Sequence, residues 1–309
     1  MIADGMVAGI DISKDWLDLY VAPSGQALRL SNTASGVKDL IGRLKRLGVR
    51  RVGVEASGGY ERGVVRALGG AGLACHVLSP ARVRALAQAM GRHAKTDPID
   101  AAMIARFVQL NPDQPVYRPD PARERLDELA SLRRQLVAER NRLASRLDIA
   151  GDPMVRRMLG RMQLNVAANI ARLDAEIASH IRQSHLKARY DILIGVPGVG
   201  PVLAAALLCD LPELGKADPK QLASLVGVAP HARQSGKSTR PGRCIGGRAS
   251  LRNVLYMGTL SAIRANAPAL RPFYDRLRAN GKPFKLAITA AMRKFVTILN
   301  AILKQNTVA

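Results

Sequence analysis

The first 119 residues alternate short apolar runs with amphipathic stretches. Five runs of four to six residues have the composition and spacing of strands: residues 7–12, 17–21, 27–30, 51–55 and 74–78. Helical periodicity covers residues 35–47, 60–71 and 81–89. The first two runs are close enough to form a hairpin, whereas the later runs are joined through helices, as in parallel units. The pattern predicts an α/β unit built on a mixed sheet.

Four prolines between residues 112 and 121 interrupt the chain, and they predict a domain boundary near residue 119. Beyond it, leucines recur at three-, four- and seven-residue steps, and the period resumes after a break at Gly151-Asp152-Pro153. This pattern predicts a hairpin of two long helices over residues 120–189, which is either an internal bundle or an oligomerising coiled coil. Residues 190–309 form the third predicted domain, which is mainly helical.

The charge balance indicates a polyanionic partner. The 309 residues carry a formal net charge of +23, and residues 190–309 hold 17 Lys and Arg against five Asp and Glu. Nucleic acid and an anionic membrane are the two candidates. No apolar run approaches the roughly 20 residues of a membrane span and no signal pattern is present, so we predict a cytoplasmic protein without a membrane partner. The three cysteines form no CxxC pair, which predicts reduced packing residues rather than a zinc site or a disulfide.

Two acids stand at the ends of strand-like runs. Asp11 lies in GIDISKDW, near the end of the first run, and Glu55 ends the run in VEASGGYE, just before a glycine turn. The carboxyl ends of parallel strands meet at one edge of a sheet. These two acids are therefore expected to converge.

Two further acids, Asp97 and Asp100, lie three residues apart in KTDPIDA, and so on one side of a helix. Steps of 100° per residue place them on the apolar stripe of Ala101, Ile104 and Val108, which should pack against the sheet. Asp97 also suits a helix N-cap before a proline, and for this residue alone that alternative stays open.

Four clustered carboxylates repel one another unless cations compensate them. Hard oxygen donors without His or Cys partners suit Mg²⁺, with Mn²⁺ possible. Two such ions would activate the attacking oxygen and stabilise the leaving oxygen in phosphodiester cleavage. The sequence therefore predicts a metal-dependent nuclease site.

The basic last third contains candidate contacts with nucleic acid. The turn IGVPGVGPVLAAALL, residues 194–208, resembles a helix-hairpin-helix in which amides at Gly198 and Gly200 would meet a phosphate; an ordinary helix–helix turn is the alternative. Residues 227–260 form an arginine- and glycine-rich loop entering an amphipathic helix. Its candidate phosphate contacts are Arg233, Lys237, Arg240, Arg243, Arg248 and Arg252. Composition alone does not distinguish Ser235, Ser238 and Ser250 as hydroxyl nucleophiles.

Together, GIDISK, VEASGGYE, KTDPIDA, the glycine turn and the SG…GGR…LR..LYM block resemble the DEDD (Piv-like) transposases of bacterial insertion sequences, a family of bridge-RNA-guided recombinases. The resemblance covers nearly the whole chain. It implies a RuvC-like domain of ribonuclease-H-like fold over residues 1–119, a coiled-coil hairpin over residues 120–189 and a transposase domain over residues 190–309. Many relatives read ISK.G where this chain has Ile245-Gly246-Gly247-Arg248-Ala249, a difference that bears on the guide RNA and the recognised ends rather than on the activity class.

The resemblance also implies the site. Asp11, Glu55, Asp97 and Asp100 would bind the metal ions, and Ser235 would be the nucleophile that forms a transient phosphoserine link with DNA. The predicted function is a transposase or recombinase that cuts and rejoins double-stranded DNA, directed by a bridge RNA and acting as a homo-oligomer, a dimer or tetramer. The alternatives are a Holliday-junction-type structure-specific endonuclease, which the same four acids would serve, and a non-catalytic nucleic-acid-binding protein.

Overall fold

The computed structural model describes the backbone of residues 5–91, 97–235 and 238–307, and the side chains in these ranges except at residues 97–99, 232–241 and 307. The chain divides into two compact units, Met1–Pro119 and Asp120–Ala309. The three-domain division stays a prediction, because the boundary expected near residue 190 lies inside the second unit. Residues on both sides of it, such as Ile177 and Leu207, share one core there.

The first unit is a five-stranded mixed sheet flanked by helices. Its strands are β1 (Val7–Ile12), β2 (Trp16–Ala22), β3 (Gln26–Ser31), β4 (Arg51–Glu55) and β5 (Ala74–Leu78), in the order β3-β2-β1-β4-β5. The β1–β2 and β2–β3 pairs are antiparallel, whereas the β1–β4 and β4–β5 pairs are parallel. Its helices are α1 (Ala34–Arg46), α2 (Glu61–Gly70), α3 (Pro80–Ala89) and α4 (Asp97–Leu110). The predicted strands, hairpin and parallel pairs are confirmed.

Alternation along the strands divides the first unit into two cores. From β1, Ala8 and Ile10 face a core shared with α1 and α2, whereas Val7 faces a second core shared with α3 and α4. Successive side chains of a strand point to opposite faces of the sheet. Positions 9 and 11 of β1 therefore share the α4 face with Val7.

The second unit is mainly helical. Its helices are α5 (Pro121–Ile149), α6 (Pro153–Arg182), α7 (Lys187–Ile194), α8 (Pro201–Asp210), α9 (Pro219–Val226), α10 (Ala249–Arg264), α11 (Arg271–Ala279) and α12 (Phe284–Thr307). Three of them begin with the same device: Asp120, Asp152 and Asp218 cap helices whose first residue is proline. The two long helices predicted around the break at residues 151–153 are confirmed, and α5 packs along α6.

Two expectations about the second unit are corrected, namely the loop before α10 and the absence of a long apolar run. The segment expected to be a loop before α10 contains an antiparallel hairpin of β6 (Pro230–Ser235) and β7 (Ser238–Cys244). In the described part of the chain, one helix, Phe284–Asn306, is long and apolar enough to cross a membrane by length and composition. Charges at Lys285, Arg293 and Lys294 interrupt its apolar run, which hid it in the sequence. Half of its apolar window is buried, and α12 packs on other helices of the unit, as core helices do.

Candidate active site

Helix α4 lies directly on β1 and β4 because both strands carry a glycine beneath it. A Cβ on Gly9 would lie 2.1 Å from the carbonyl oxygen of Ala101 and 2.4 Å from the nitrogen of Ala105. A Cβ on Gly53 would lie 2.8 Å from Cγ2 of Ile104. Only glycine allows an approach this close. The residues of the predicted stripe, Ala101, Ile104 and Val108, are buried, which confirms the face that α4 turns to the sheet.

Arg51 attaches the end of α4 to the start of β4. It begins β4, and its guanidinium donates hydrogen bonds to the carbonyls of Val108 at 3.0 Å and of Asn111 at 3.3 Å. The C-terminal end of α4 is thereby held at the amino end of β4.

The carboxyl ends of β1 and β4 carry Asp11 and Glu55. Ile10 pairs with Val54 in the parallel register, so the two acids follow at equivalent positions of neighbouring strands, which are about 4.8 Å apart. Both positions share the α4 face with Gly9 and Gly53, by alternation. Asp100 lies in the first turn of α4. The structure thus places Asp11 and Glu55 at one edge and one face of the sheet, and Asp100 in the first turn of the helix that covers this face.

The donor set fits a hard divalent cation, because it consists of carboxylate oxygens. Asp97 is the first residue of α4, but its side chain lies outside the described residues. Among the side chains that are described, no three from His, Cys, Asp and Glu are close enough together to hold a metal ion. Asp97 as the fourth ligand stays a prediction.

A fifth acid beside this site escaped the sequence analysis. Asp18 of β2 pairs directly with Asp11 and is buried. The guanidinium of Arg29 on β3 donates two hydrogen bonds to it, at 2.8 and 3.0 Å. Alternation within the hairpin was the available signal, because residues paired across two strands lie on the same face. The Arg29 charge compensates Asp18 without a metal ion.

Glu61 was also missed, although it closes the VEASGGYE motif. Its carboxylate accepts hydrogen bonds from the Ser57 amide at 3.1 Å, the Ser57 hydroxyl at 2.9 Å and the Gly59 amide at 2.8 Å. Burial raises the pKa of Glu61, but hydrogen bonds from its own amide, Gly59 and Ser57 outweigh burial and hold the pKa below its usual value. The ionised side chain therefore orders the loop that follows Glu55.

Ser235 ends β6 and pairs with Ser238 at the start of β7. The side chains of Ser235, Arg233 and Arg240, and the whole of Lys237, lie outside the described residues. Arg243 lies on β7 opposite His231 and is exposed. Their contacts with nucleic acid and the nucleophilic role of Ser235 stay predictions.

The structure gives two of the predicted phosphate contacts other partners. The guanidinium of Arg248 donates two hydrogen bonds to the Glu213 carboxylate and one to the Asp210 carbonyl, each 2.7 Å long. Arg252 donates to the carbonyl of Gly246 at 2.8 Å. Protein oxygens thus engage both guanidinium groups, and the phosphate contacts expected for these two arginines stay predictions.

The two glycines of the turn between α7 and α8 have different surroundings. Gly198 has φ +91°, and a Cβ on it would lie 2.3 Å from Cβ of Ala262 on α10. Packing against α10 therefore accounts for this glycine, and the phosphate contact expected for its amide stays a prediction. Gly200 is the N-cap of α8, has open space around its Cα and borders a groove of about 840 Å³ between α5 and α10. It stays a candidate.

Two of the three cysteines pack as predicted. Cys75 and Cys209 are buried, whereas Cys244, at the end of β7, is exposed, which corrects the packing role expected for it. All three are free thiols.

A mixed sheet of this order, with acids at the carboxyl ends of central strands and more acids on the covering helix, is consistent with a ribonuclease-H-like, nucleic-acid-processing enzyme domain. A family model described as a transposase, that of IS110-type DEDD transposases, matches residues 8–150. A second, described as the transposase IS116/IS110/IS902 family, matches residues 190–275. The chain belongs to the IS110 family of DEDD transposases, enzymes of DNA transposition or recombination that in general use divalent metal.

Individual relatives agree with this assignment. The pilin gene-inverting protein of Moraxella bovis is 31% identical over 243 residues, which are 74% of this chain and 72% of that protein. The insertion element IS900 uncharacterized 42 kDa protein of Mycobacterium paratuberculosis is 32% identical over 171 residues, 52% of this chain and 41% of that protein. The insertion element IS110 uncharacterized 43.6 kDa protein of Streptomyces coelicolor is 34% identical over 119 residues, 38% and 29% of the respective chains.

Proposed function

We propose that this chain cuts and rejoins double-stranded DNA to move an insertion sequence, using a metal-bound carboxylate site and Ser235 as nucleophile. One observation carries the proposal. Asp11 and Glu55 stand side by side at the carboxyl ends of β1 and β4, on the face covered by α4, whose first turn contains Asp97 and Asp100.

These four acids would hold Mg²⁺ or Mn²⁺, which would activate the attacking oxygen and stabilise the leaving oxygen of a phosphodiester. The protein's own groups prepare the site. Arg29 neutralises Asp18, so that this neighbouring acid does not compete for the cation. Glu61 orders the loop that follows Glu55 by accepting hydrogen bonds from its amides.

The isosteric variants Asp11→Asn, Glu55→Gln, Asp97→Asn and Asp100→Asn test this site. Each should abolish Mg²⁺-dependent strand cleavage while DNA affinity stays within about threefold, because the acids are not phosphate contacts. Mg²⁺ titration followed by calorimetry should show weaker binding in the same variants. Asp15→Asn, at an exposed acid of the β1–β2 turn, is the charge-matched control. Normal cleavage by any two of the four variants would refute the site.

For Ser235, the proposed step is attack of its Oγ on a phosphorus of the DNA strand. The Oγ–P bond forms, the bond from phosphorus to the deoxyribose oxygen breaks, and the proton lost by the hydroxyl ends on the leaving oxygen. A covalent protein–DNA adduct should form with the wild type and with Ser238→Ala, but not with Ser235→Ala. An adduct that persists in Ser235→Ala rejects the nucleophile.

DNA would be held by the backbone amides of a helix-hairpin-helix at Gly200 and by the cations of the β6–β7 hairpin, Arg233, Lys237, Arg240 and Arg243. Joint replacement of Arg240 and Arg243 by glutamine should reduce the log–log salt slope of duplex binding by about 0.9 per lost contact. An unchanged slope would place these cations elsewhere than on the DNA.

A homo-oligomer and a bridge RNA complete the proposal. Where α5 ends and α6 begins, Ile149 and Met154 are 85% and 63% exposed. This exposure supports a coiled coil formed by these two helices with those of a second copy of the chain. Light scattering of the full chain should show a dimer or tetramer. Sequencing of copurified RNA should return one species complementary to DNA at the recombination junctions, and random cellular RNA would argue against a guide.

DNA inversion is the second candidate reaction, because two Moraxella relatives are named pilin gene-inverting proteins. Substrates that carry recombination sites in inverted or direct orientation separate inversion from excision. Cleavage of four-way junctions without rejoining would instead indicate a structure-specific endonuclease. The cytoplasmic location stays a prediction.

A further inference from the structure

The β6–β7 hairpin is joined to the helices at a tightly packed base. The chain enters it through Gly227, the C-cap of α9 in the left-handed region, and leaves it through Gly246, Gly247 and Arg248 before α10. A Cβ on Gly247 would lie 2.3 Å from the nitrogen and 2.4 Å from the Cα of Gly227. A Cβ on Gly227 would lie 2.4 Å from the carbonyl oxygen of Gly246. The two legs of the hairpin therefore touch backbone to backbone, with no room for a side chain between them.

Hydrogen bonds hold this base on three helices. The amide of Arg248 donates to the carbonyl of Leu225 on α9 at 2.8 Å. Its guanidinium binds both carboxylate oxygens of Glu213 and the carbonyl of Asp210, which ends α8. Arg252, in the first turns of α10, binds the Gly246 carbonyl. Such bidentate, charge-assisted pairs fix orientation as well as distance.

Because the hairpin is long, a small tilt at its base moves its tip by several ångströms. Ser235 lies five residues beyond Pro230, and at about 3.3 Å per residue a tilt of roughly 10° at the base would move it by about 3 Å. A misplacement of about 1 Å is enough to cost a reaction around 100-fold. A small change in the angle of the base is therefore enough to affect the chemistry.

We propose that Gly227, Gly247 and Arg248 are positioning residues: together they form a clamp that fixes the direction of the β6–β7 hairpin and so places the Ser235 hydroxyl for attack. The proposal rests on the nucleophilic role of Ser235. Within the Gly246-Gly247-Arg248 sequence, it gives Gly247 and Arg248 a mechanical role in the reaction.

Adjacent glycines provide a matched test. Gly246 and Gly247 have φ of +69° and +76°, so that alanine is strained at both, but a Cβ on Gly246 meets nothing within 4 Å. Adduct formation and duplex affinity would be measured with the full chain at a temperature where circular dichroism shows each variant folded. Gly247→Ala should lower the rate of Ser235–DNA adduct formation by about 100-fold with duplex affinity within about threefold, whereas Gly246→Ala should stay within about threefold of wild type. Arg248→Lys, which keeps the charge but loses the bidentate pair, should fall between them, and it serves if Gly247→Ala does not fold.

A distance measurement tests the clamp without reference to catalysis. Spin labels at Ser238→Cys on the hairpin and Lys220→Cys on α9, in a Cys244→Ser background, should give a narrow distance distribution. Gly247→Ala and Arg248→Lys should broaden or shift that distribution, and Gly246→Ala should not. An unchanged distribution, or unchanged adduct rates in folded Gly247→Ala and Arg248→Lys, overturns the proposal. If Ser235→Ala still forms the adduct, the nucleophile is rejected, and the distance measurement still decides whether the clamp sets the hairpin direction.

Discussion

Replacing Gly9 with alanine should separate the acids on the sheet from those on α4. The new Cβ would lie 2.1 Å from the Ala101 carbonyl oxygen and 2.4 Å from the Ala105 nitrogen, against the roughly 3.5 Å of an ordinary van der Waals contact. Both neighbours are backbone atoms, so no side chain can move aside. Helix α4 would have to move away from β1 by about 1 Å or more, at a cost near the upper end of the ~1–3 kcal/mol typical of overpacked cores.

The displacement would carry Asp100 away from Asp11 and Glu55. We therefore expect Gly9→Ala to lower the free energy of unfolding by about 3 kcal/mol and to slow Mg²⁺-dependent cleavage about 100-fold in the fraction that stays folded. Urea unfolding of the full chain and cleavage of an element-end duplex measure the two effects.

Gly42→Ala is the matched control for this prediction. Gly42 lies in α1, where a Cβ meets nothing within 4 Å, and alanine is favoured over glycine inside helices by about 1 kcal/mol. The control should match or exceed wild-type stability and cleave normally. If Gly9→Ala unfolds within about 0.5 kcal/mol of wild type, which is the usual range for changes that disturb no packing, α4 does not depend on this contact and the reasoning is refuted.

Two further predictions follow from titrating groups. Glu61→Gln should unfold at a lower urea concentration than wild type near neutral pH, and this difference should shrink as the pH falls below 4.5. The reason is that the depressed pKa of Glu61 stabilises the fold only while the carboxylate is ionised. Urea midpoints that stay equally far apart at low pH would contradict this. Burial raises the pKa of Cys75 to about 12 and also raises that of Cys209. A thiol reagent should therefore modify Cys244 alone in the native protein and all three cysteines in urea. Reaction of a second thiol in the native protein would contradict the burial of Cys75 and Cys209.

The first unit could be predicted almost completely, because its signals are local. Each strand is a short apolar run between turn residues, and the stripe through Ala101, Ile104 and Val108 identified the buried side of α4 before the structure did. The attachment of the C-terminal end of α4 to the start of β4 could not be predicted in the same way. It depends on Arg51 binding carbonyls more than 50 residues away, a contact that no periodicity encodes.

The second unit shows where sequence patterns mislead. Between residues 230 and 244, arginine, glycine and serine dominate a segment with little apolar alternation, so the hairpin carried no strand signal. Arginine density predicted phosphate contacts, yet Arg248 and Arg252 bind protein oxygens. A guanidinium suits a carboxylate as well as a phosphate, and only the presence of Glu213 beside Arg248 distinguishes the two.

Glycine has two physical roles in this chain, and they bear differently on function. Gly58 and Gly59 have positive φ and open space around them, so they serve the turn itself. Gly9 in β1 needs no positive φ, and glycine is required there because another backbone occupies the place of its Cβ; Gly247 combines both requirements. Gly9 and Gly247 each lie beside an element to which we assign chemistry, α4 with its acids or the hairpin with Ser235. Polar catalytic side chains have few packing contacts of their own, so their placement must come from the backbone that carries them. A conservative change at such a glycine should therefore impair the reaction without removing any reacting group, which separates the positioning of the site from its chemistry.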